Sequence, residues 1–224
     1  GGFFADEALA FGLDTPSRAT TGFGTQAADF DNDGWLDLAI LNGHLFNNIS
    51  QSVPFKMLPQ LFRGGQRGFV SEHPKESGVY FEAVQIGRTL TLLDYNSDGR
   101  LDLLANHLDR PVALLRNDTP SEDSVQLEFI GKTSEKAAVG AVVTVSCQAG
   151  GGTREITDFV LSGGGYMSTS QGLLHIGLGE IDGAIMIDIS WPSGLKETIK
   201  SLEANKRYQI LESSGVINAT RYSQ

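Results

Sequence analysis

The stretch DFDNDGWLD at residues 29–37 recurs as DYNSDGRLD at residues 94–102. Each copy has acidic or amide side chains at positions 1, 3, 5 and 9 and a glycine at position 6. Carboxylates held this close together repel one another unless a positive charge lies between them. Because alternate side chains of a tightly curled loop can all point inward, the spacing predicts two loops that each surround a cation.

The predicted ligands are the four polar side chains of each loop and the main-chain carbonyl at position 7. They are Asp29, Asp31, Asp33, Trp35 and Asp37 in the first loop, and Asp94, Asn96, Asp98, Arg100 and Asp102 in the second. This oxygen-rich set suits Ca²⁺, which takes about six to eight oxygen ligands, better than Mg²⁺, which keeps several waters. We therefore expect two Ca²⁺ sites, the second weakened by the uncharged Asn96. Acidic turns without an ion are the alternative.

The residues after each loop distinguish the pattern from an EF-hand. An EF-hand needs a bidentate Glu at position 12 and a helix on each side, but position 12 is Ile40 in the first copy and Ala105 in the second. The runs LDLAIL and LDLLAN are typical of short buried strands. Ligands at positions 1, 3, 5, 7 and 9 before a strand resemble the FG-GAP or VCBS repeat, the calcium-loop blade of integrin-like β-propellers. The Gly-Phe-Gly at 22–24 fits this resemblance.

The loops belong to a longer internal repeat that spans about 1–66 and 67–118. Matching phrases are GFF (2–4) with GFV (68–70), GL (12–13) with GV (78–79), and LFRGG (61–65) with LLRND (114–118). The chain opens inside a unit, so we expect a further repeat to precede it in a longer protein. Propellers typically take about four to eight blades, and two repeats leave unpaired strand edges. We therefore expect the repeats to pack on the rest of the chain, or their edges to pair between chains.

The composition is that of a globular protein and argues against two kinds of partner. The chain has 224 residues, 40% of them hydrophobic, and a formal net charge of −10. Phosphate backbones bind basic surfaces, so the acidity argues against a nucleic-acid partner. No run of about 18 apolar residues is present, so we expect no membrane span. The single cysteine, Cys147, lies in the apolar run AVVTVSC, and we expect an inert buried thiol.

Short β-branched or aromatic runs, separated by glycines and polar clusters, predict a nearly all-β protein. Examples are AVVTVSC, AIMIDIS and RYQILE. The strongest helical candidate, EALAFGL at 7–13, is short. WPSG at 191–194 predicts a turn that joins IMIDISW and LKETIKSL into a hairpin, because the proline presets φ and Ser-Gly completes the turn.

From about residue 124 the repeat ends and different phrases follow. The polar stretch TPSED at 119–123 marks the boundary. VGAVVTV, SGGGYMSTSQ, LHIGLG, ISWPSG and NKRYQILE occur in that order and together resemble the ASPIC/UnbV domain, which follows FG-GAP repeats in secreted bacterial proteins and in the animal cartilage acidic protein. The resemblance covers about 124–213, which leaves 214–224 as a C-terminal tail. It implies a compact β domain with no established catalytic activity.

Two glycine-rich phrases are candidates for nucleotide or ligand sites. The glycines at 163–165 have no Lys or Ser/Thr at phosphate-loop spacing and no helix after them, which favours a loop or bulge. A ligand site beside Tyr166, Ser168 and Ser170 is the alternative. GFGTQA at 22–27 matches a loose dinucleotide fingerprint, but the ADFDNDG that follows cannot be a helix. The histidines form no close pair in sequence, which argues against zinc.

Together these features predict an all-β protein with two incomplete β-propeller-type blades and a C-terminal β-sandwich or barrel. We expect a secreted, extracellular, periplasmic or cell-surface calcium-binding module, with structural ions, that binds an unidentified protein or glycan in adhesion. The alternatives are a Ca²⁺-dependent carbohydrate-binding protein and a carbohydrate-active enzyme. Glycosidases need two carboxylates about 5–10 Å apart in a cleft, whereas metal ligation already explains the dense carboxylates here. We therefore assign no catalytic residues and expect no enzymatic activity.

Overall fold

The computed structural model describes residues 2–47 and 54–223. The first half of the chain contains β1 (Gly22–Ala28), β2 (Asp37–Asn42), β3 (Gln60–Arg63), β4 (Val70–Ser71), β5 (Gly87–Leu93), β6 (Asp102–His107) and β7 (Ala113–Leu115). The second half contains β8 (Asp123–Ile130), β9 (Val142–Ala149), β10 (Gly152–Phe159), β11 (Leu174–Gly179), β12 (Asp182–Ser190), β13 (Lys196–Leu202), β14 (Lys206–Leu211) and β15 (Gly215–Arg221). Helical structure in the described ranges consists of α1 (Asp14–Ser17) and a 3₁₀ helix (Val79–Glu82).

The strands form four small sheets, arranged like the blades of a four-bladed propeller. The first two sheets have the orders β1-β2-β3-β4 and β5-β6-β7, with each neighbouring pair antiparallel. The other two have the orders β10-β9-β12-β13 and β11-β8-β14-β15, and in the last sheet β8 and β14 run parallel. The structure therefore confirms the coarse prediction of an all-β protein with propeller-type sheets.

The two repeat sheets share one hydrophobic cluster. Its buried members are Ala28, Phe30, Ala39, Leu41, Leu90, Leu103 and Ala105. The runs LDLAIL and LDLLAN contribute β2 and β6, so the prediction of a buried strand after each acidic loop is confirmed. Strands β1 and β5 lie side by side, and a Cβ atom at Gly24 would lie 2.6 Å from the Leu90 nitrogen. This close approach accounts for the glycine in the Gly-Phe-Gly phrase.

The two C-terminal sheets bury their inner faces in a second cluster. Strands β8, β9, β11, β12 and β14 all contribute side chains to it, as the alternating apolar runs predict. Cys147 lies in this cluster and is 4% exposed, which confirms the buried thiol. Strands β12 and β13 form the predicted hairpin, and the Gly194 N–H donates to the Trp191 carbonyl at 2.9 Å across the WPSG turn.

Two segments differ from expectation. The prediction of a helix at 7–13 is wrong: these residues form turns, and α1 begins at Asp14. Gly12 has a φ of 79°, which ends the helical progression, and the Phe11 carbonyl accepts the Phe69 N–H at 2.9 Å. The segment 214–224, expected to be a tail, contributes strand β15, which pairs with β14.

The described residues include no helix of the length and apolarity that a membrane crossing requires.

Candidate metal centre

The two acidic loops have the same backbone conformation. Position 4 has a φ of 61° at Asn32 and 60° at Ser97, and position 6 has a φ of 89° at Gly34 and 82° at Gly99. L-residues rarely adopt these values, and glycine adopts them without steric cost. The glycine at position 6 of both copies is therefore explained by the curl of the loop.

The hydrogen bonds inside the loops also repeat. The position-1 carboxylate accepts the N–H groups of positions 5 and 6, at 3.1 and 2.8 Å in the first loop and 3.1 and 3.0 Å in the second. The position-9 carboxylate accepts the position-2 N–H at 3.0 and 3.1 Å. Its other oxygen accepts an N–H at 2.7 Å in each case, from Gly64 directly after β3 and from Asn117 two residues after β7. The carboxylates thus fix loop geometry by themselves.

Three carboxylates converge in the first loop. One oxygen from each of Asp29, Asp31 and Asp37 lies within 4.8 Å of the other two, and no other three Asp, Glu, His or Cys side chains in 2–47 and 54–223 converge as closely. These residues are only 6%, 8% and 5% exposed. Burial, reinforced by the neighbouring carboxylates, raises the pKa of Asp29 to about 7 and that of Asp37 to about 6. Such a cluster is a favourable environment for a cation.

The other two predicted ligands of the first loop lie outside this convergent group. The Asp33 carboxylate accepts the Trp35 N–H at 2.8 Å, and burial raises its pKa. The Trp35 residue is 44% exposed at the mouth of the loop. The nearest positive charge is Arg63, whose guanidinium lies 3.3 Å from Asp31, but this arginine side chain is 55% exposed. A half-exposed pair of this kind offsets little of the repulsion in the loop.

The second loop has its own positive charges and hydrogen-bond donors. The Asp98 carboxylate pairs with Arg100 and accepts the Asn96 amide at 2.8 Å. Burial would raise the pKa of Asp98, but these two partners outweigh it and lower the pKa below its ordinary value. The buried Asp94 accepts the Gln126 amide at 2.7 Å. The loop therefore does not gather three free carboxylates.

Asp102 and Arg207 also affect the charge balance of the second loop. Asp102 is fully buried, and burial raises its pKa. The Arg207 guanidinium lies 3.6 Å from the Asp94 carboxylate. The structure therefore places Asp94, Asn96, Asp98, Arg100 and Asp102 in one loop, as predicted, but with less unbalanced charge than in the first loop.

Residues from the second half of the chain hold both loops in place. His175 is partly buried and lies between the first loop and Gln126, and its Nε2 lies 2.8 Å from the Asn32 amide oxygen. The Arg154 guanidinium donates to the Asp33 carbonyl at 3.1 Å. Sequence reasoning missed these residues because they are ordinary residue types far along the chain, and only the fold brings them to the loops.

The SGGGYMSTSQ segment also joins the two halves. The Ser168 hydroxyl donates to the Leu90 carbonyl at 2.8 Å, and the Ser170 hydroxyl accepts the Leu92 N–H at 3.2 Å. The Tyr166 ring packs edge-on against Phe23, with the ring centroids 5.4 Å apart. The segment forms a loop, as predicted, and the groups proposed for a ligand site there are engaged in contacts with the repeat sheets.

The fold and this site define a class of protein: an all-β chain of propeller-type sheets with one acidic loop suited to a cation. Comparison with protein families then shows that residues 131–217 match the ASPIC and UnbV family model. The match confirms the resemblance of the C-terminal region, with slightly different bounds from those expected.

Three curated relatives carry the name cartilage acidic protein 1. Identity is 29% over 190 residues with the Xenopus tropicalis protein, 29% over 204 residues with the Mus musculus protein, and 27% over 208 residues with the Homo sapiens protein. These alignments cover 82%, 88% and 90% of the chain but only 27%, 29% and 29% of the relatives. The chain thus spans less than a third of their length.

Among solved structures, the pilus adhesin SpaC from Lactobacillus rhamnosus GG aligns with 94% of the chain and 28% of its own, at 13% identity and a TM-score of 0.20.

Proposed function

We propose that this chain is a calcium-binding module in which Ca²⁺ has a structural role. The observation that carries the proposal is the convergence of the buried Asp29, Asp31 and Asp37 carboxylates in a loop whose backbone has a positive φ at Asn32 and Gly34. Their oxygens are hard ligands of the kind that Ca²⁺ prefers, and the Asp33 side chain and Trp35 carbonyl stand in sequence where further ligands are needed. Burial is the main cause of the raised pKa of Asp29 and Asp37, and a bound dication would balance the carboxylate charges that the loop buries.

The burial of the cluster supports a structural rather than a ligand-presenting ion. The loop leads directly into β2, and its Asn32 and Asp33 contact His175 and Arg154 of the second half. An ion in this loop would fix both the entry of a core strand and the contact between the halves. A lectin-type ion needs open coordination positions facing a cleft. Asp31 and Asp37 do line a groove of about 710 Å³, so the structural assignment rests on the burial of the three carboxylates and on the contacts of Asn32 and Asp33.

We propose the second loop as a weaker Ca²⁺ site. Its backbone repeats that of the first loop, which supports the same use. Asn96 removes one charge, and Arg100 and Arg207 already lie beside Asp98 and Asp94. An entering ion must compete with these guanidinium groups, so its affinity should be lower.

We propose that residues 1–118 are two FG-GAP/VCBS-type blades and that the region from 124 is a separate ASPIC/UnbV-type β-sandwich. Two observations support the division. The repeat sheets are simple up-and-down sheets with their own buried cluster. The C-terminal sheets have interleaved strand orders and share a second cluster.

We further propose a secreted module that binds a protein or glycan in adhesion. The acidic, calcium-loop composition and the name that the relatives carry, which refers to the cartilage tissue, support this setting. No observation favours an enzyme over a binding module, and no catalytic residue is proposed.

Isothermal titration calorimetry of the chelator-treated chain with CaCl₂ tests the proposal. We expect one tight site, lost in Asp31→Asn, and one weaker site, lost in Asp98→Asn. The matched control Asp182→Asn, at an exposed carboxylate outside both loops, should keep both sites. An absence of calcium binding at millimolar concentrations would refute the proposal.

A further inference from the structure

The two acidic loops are in direct contact with each other. Asn32, at position 4 of the first loop, donates through its Nδ2 to the carbonyl of Gly99, at position 6 of the second loop, at 3.4 Å. The same Nδ2 lies 3.5 Å from the Glu122 carbonyl. Asn32 is only 1% exposed, so this contact is shielded from water. The two candidate sites are therefore neighbours in the structure.

A row of three polar side chains crosses the sheet beside the loops. His175 on β11 stands opposite Gln126 on β8, and Gln126 stands opposite Arg207 on β14. Residues directly opposite each other on neighbouring strands share one face of the sheet. At the first loop, His175 Nε2 lies 2.8 Å from the Asn32 oxygen. At the second loop, Gln126 Nε2 donates to the Asp94 carboxylate at 2.7 Å.

The hydrogen bonds of this row have one consistent direction. The Asn32 Nδ2 donates to two carbonyls, so its oxygen faces His175 and accepts the Nε2–H. The neutral ring then has an acceptor at Nδ1, which lies 3.4 Å from Gln126 Nε2. The Gln126 oxygen accepts the Arg207 Nε–H at 2.9 Å, so its amide nitrogen is the end that donates to His175 and Asp94. Each side chain therefore fixes the orientation of the next.

The two ends of the row lie at predicted metal ligands. Asn32 stands between the ligands Asp31 and Asp33, and Asp94 is the position-1 ligand of the second loop. When the first loop holds an ion, the backbone around Asn32 is fixed, and with it the orientations of His175 and Gln126. Gln126 then holds the Asp94 carboxylate in place before the second loop is filled. Ordering that accompanies the first binding event is not repeated in the second.

We propose, on the basis of the calcium sites proposed above, that His175 and Gln126 couple the two loops, so that an ion in the first loop raises the Ca²⁺ affinity of the second. His175 hydrogen-bonds to Asn32 and Gln126, which are not ligands, so it is a positioning residue. Direct repulsion between two dications acts in the opposite sense. The sign of the coupling therefore distinguishes the row from a purely electrostatic effect.

Isothermal titration calorimetry of the weaker site tests the coupling. That site fills with the first loop occupied in the unaltered chain, and with the first loop empty in Asp31→Asn. We expect Asp31→Asn to raise its Kd at least about fivefold. In His175→Phe, which removes both hydrogen bonds and keeps a neutral ring, adding Asp31→Asn should leave the Kd unchanged or lower it. His73→Phe, at an exposed histidine, is the matched control and should keep the fivefold effect.

Nuclear magnetic resonance provides a second readout that does not depend on the affinity of the second loop. In a ¹⁵N-labelled Asp98→Asn chain, calcium should fill the first loop alone. The side-chain amide resonances of Gln126 should then shift with the Kd of the first site. Adding His175→Phe should abolish that shift and leave first-site binding intact, which also shows that the variant is folded.

Two results would overturn the coupling alone. One is a second-site Kd that is the same with the first loop filled or empty, and the other is a Gln126 shift that His175→Phe leaves undiminished. A chain that binds calcium but shows either result keeps the proposed function. A chain that binds no calcium would overturn the coupling and the proposed function together.

Discussion

At the scale of single residues, the glycine at position 6 of each acidic loop shows how backbone geometry constrains the sequence. Gly99 has a φ of 82°, and a Cβ atom there would collide with the Tyr222 ring from the C-terminal end of the chain. The residue is therefore required both by the curl of its loop and by the contact that the loop makes. Neither requirement involves the ion.

We predict that Gly99→Ala destabilises the chain even without calcium. Holding alanine at this φ costs about 1–3 kcal/mol, and displacement of Tyr222 adds to it. Urea unfolding in chelator measures the loss. Gly163→Ala is the control, since Gly163 has no positive φ and nothing within 4 Å of its Cβ position. Equal stability of the two variants would contradict this account of the loop.

The residue scale is also where the sequence was most informative. The oxygen-bearing positions and the glycine of each loop follow from local spacing, and the structure gives both loops the same curl. The difference between the loops could not be predicted in the same way. Gln126 and Arg207 reach Asp94 from strands β8 and β14, and nothing in the local sequence signals that they end beside an acidic loop.

At the scale of elements, one carboxylate holds two turns of the C-terminal sheets. Glu212, just after β14, accepts the N–H groups of Lys132, Thr133 and Ser134, each at 2.7 Å. Its other oxygen accepts the hydroxyls of Ser134 and Ser193. Burial would raise the pKa of Glu212, but these donors outweigh it and lower the pKa to about 2.

We predict that Glu212→Gln removes a pH-dependent part of the stability. Because the folded-state pKa is below the ordinary value of 4.5, the contribution of Glu212 is complete above about pH 4.5 and is lost as the pH falls toward about 2. The stability difference between the unaltered chain and the variant, from urea unfolding at several pH values, should shrink over that range. Glu155→Gln, at an exposed carboxylate, should show no such trend. A difference that grows with acidity would contradict the assignment.

Strand positions were largely predictable from the sequence, whereas the helical candidate at 7–13 was not confirmed. Alternating runs such as AVVTVSC and RYQILE supply β9 and β14, because period-two burial is local. EALAFGL has helical composition, but two features end the helical path of the backbone. Gly12 has a positive φ, and the Phe69 N–H donates a hydrogen bond to the Phe11 carbonyl. Strand β15 was missed because its exposed, polar residues carry little hydrophobic signal.

At the scale of the whole molecule, the acidic loops lie where the two halves meet. His175, Gln126 and Arg154 from the second half contact the loops, and the Ser168–Gln171 stretch contacts β5. The sequence predicted that two blades would need a surface to pack on, but not which residues would provide it. An ion that stabilises a loop should therefore also raise the free energy of unfolding of the C-terminal sheets.

We predict that calcium stabilises the C-terminal core through these contacts. The chain has two tryptophans, Trp35 in the first loop and Trp191 in the C-terminal core. In a Trp35→Phe background, the fluorescence of Trp191 reports on the C-terminal sheets alone. Its urea midpoint should rise with Ca²⁺, and the rise should disappear when Asp31→Ala is added. If the urea midpoint of Trp191 fluorescence does not change with calcium, the two halves unfold independently.

The most direct test of the central claim is thermal unfolding of the chelator-treated chain, titrated with Ca²⁺ and with Mg²⁺, beside Asp31→Ala and Asp98→Ala. At a hundredfold excess over Kd, one site adds about 2.7 kcal/mol, or a Tm rise of about 5–10 °C for a chain of this size. We predict a calcium-selective rise that Asp31→Ala abolishes in large part and Asp98→Ala reduces less. An unchanged Tm with both ions would contradict the claim, and the acidic loops would then be turns held by their own hydrogen bonds.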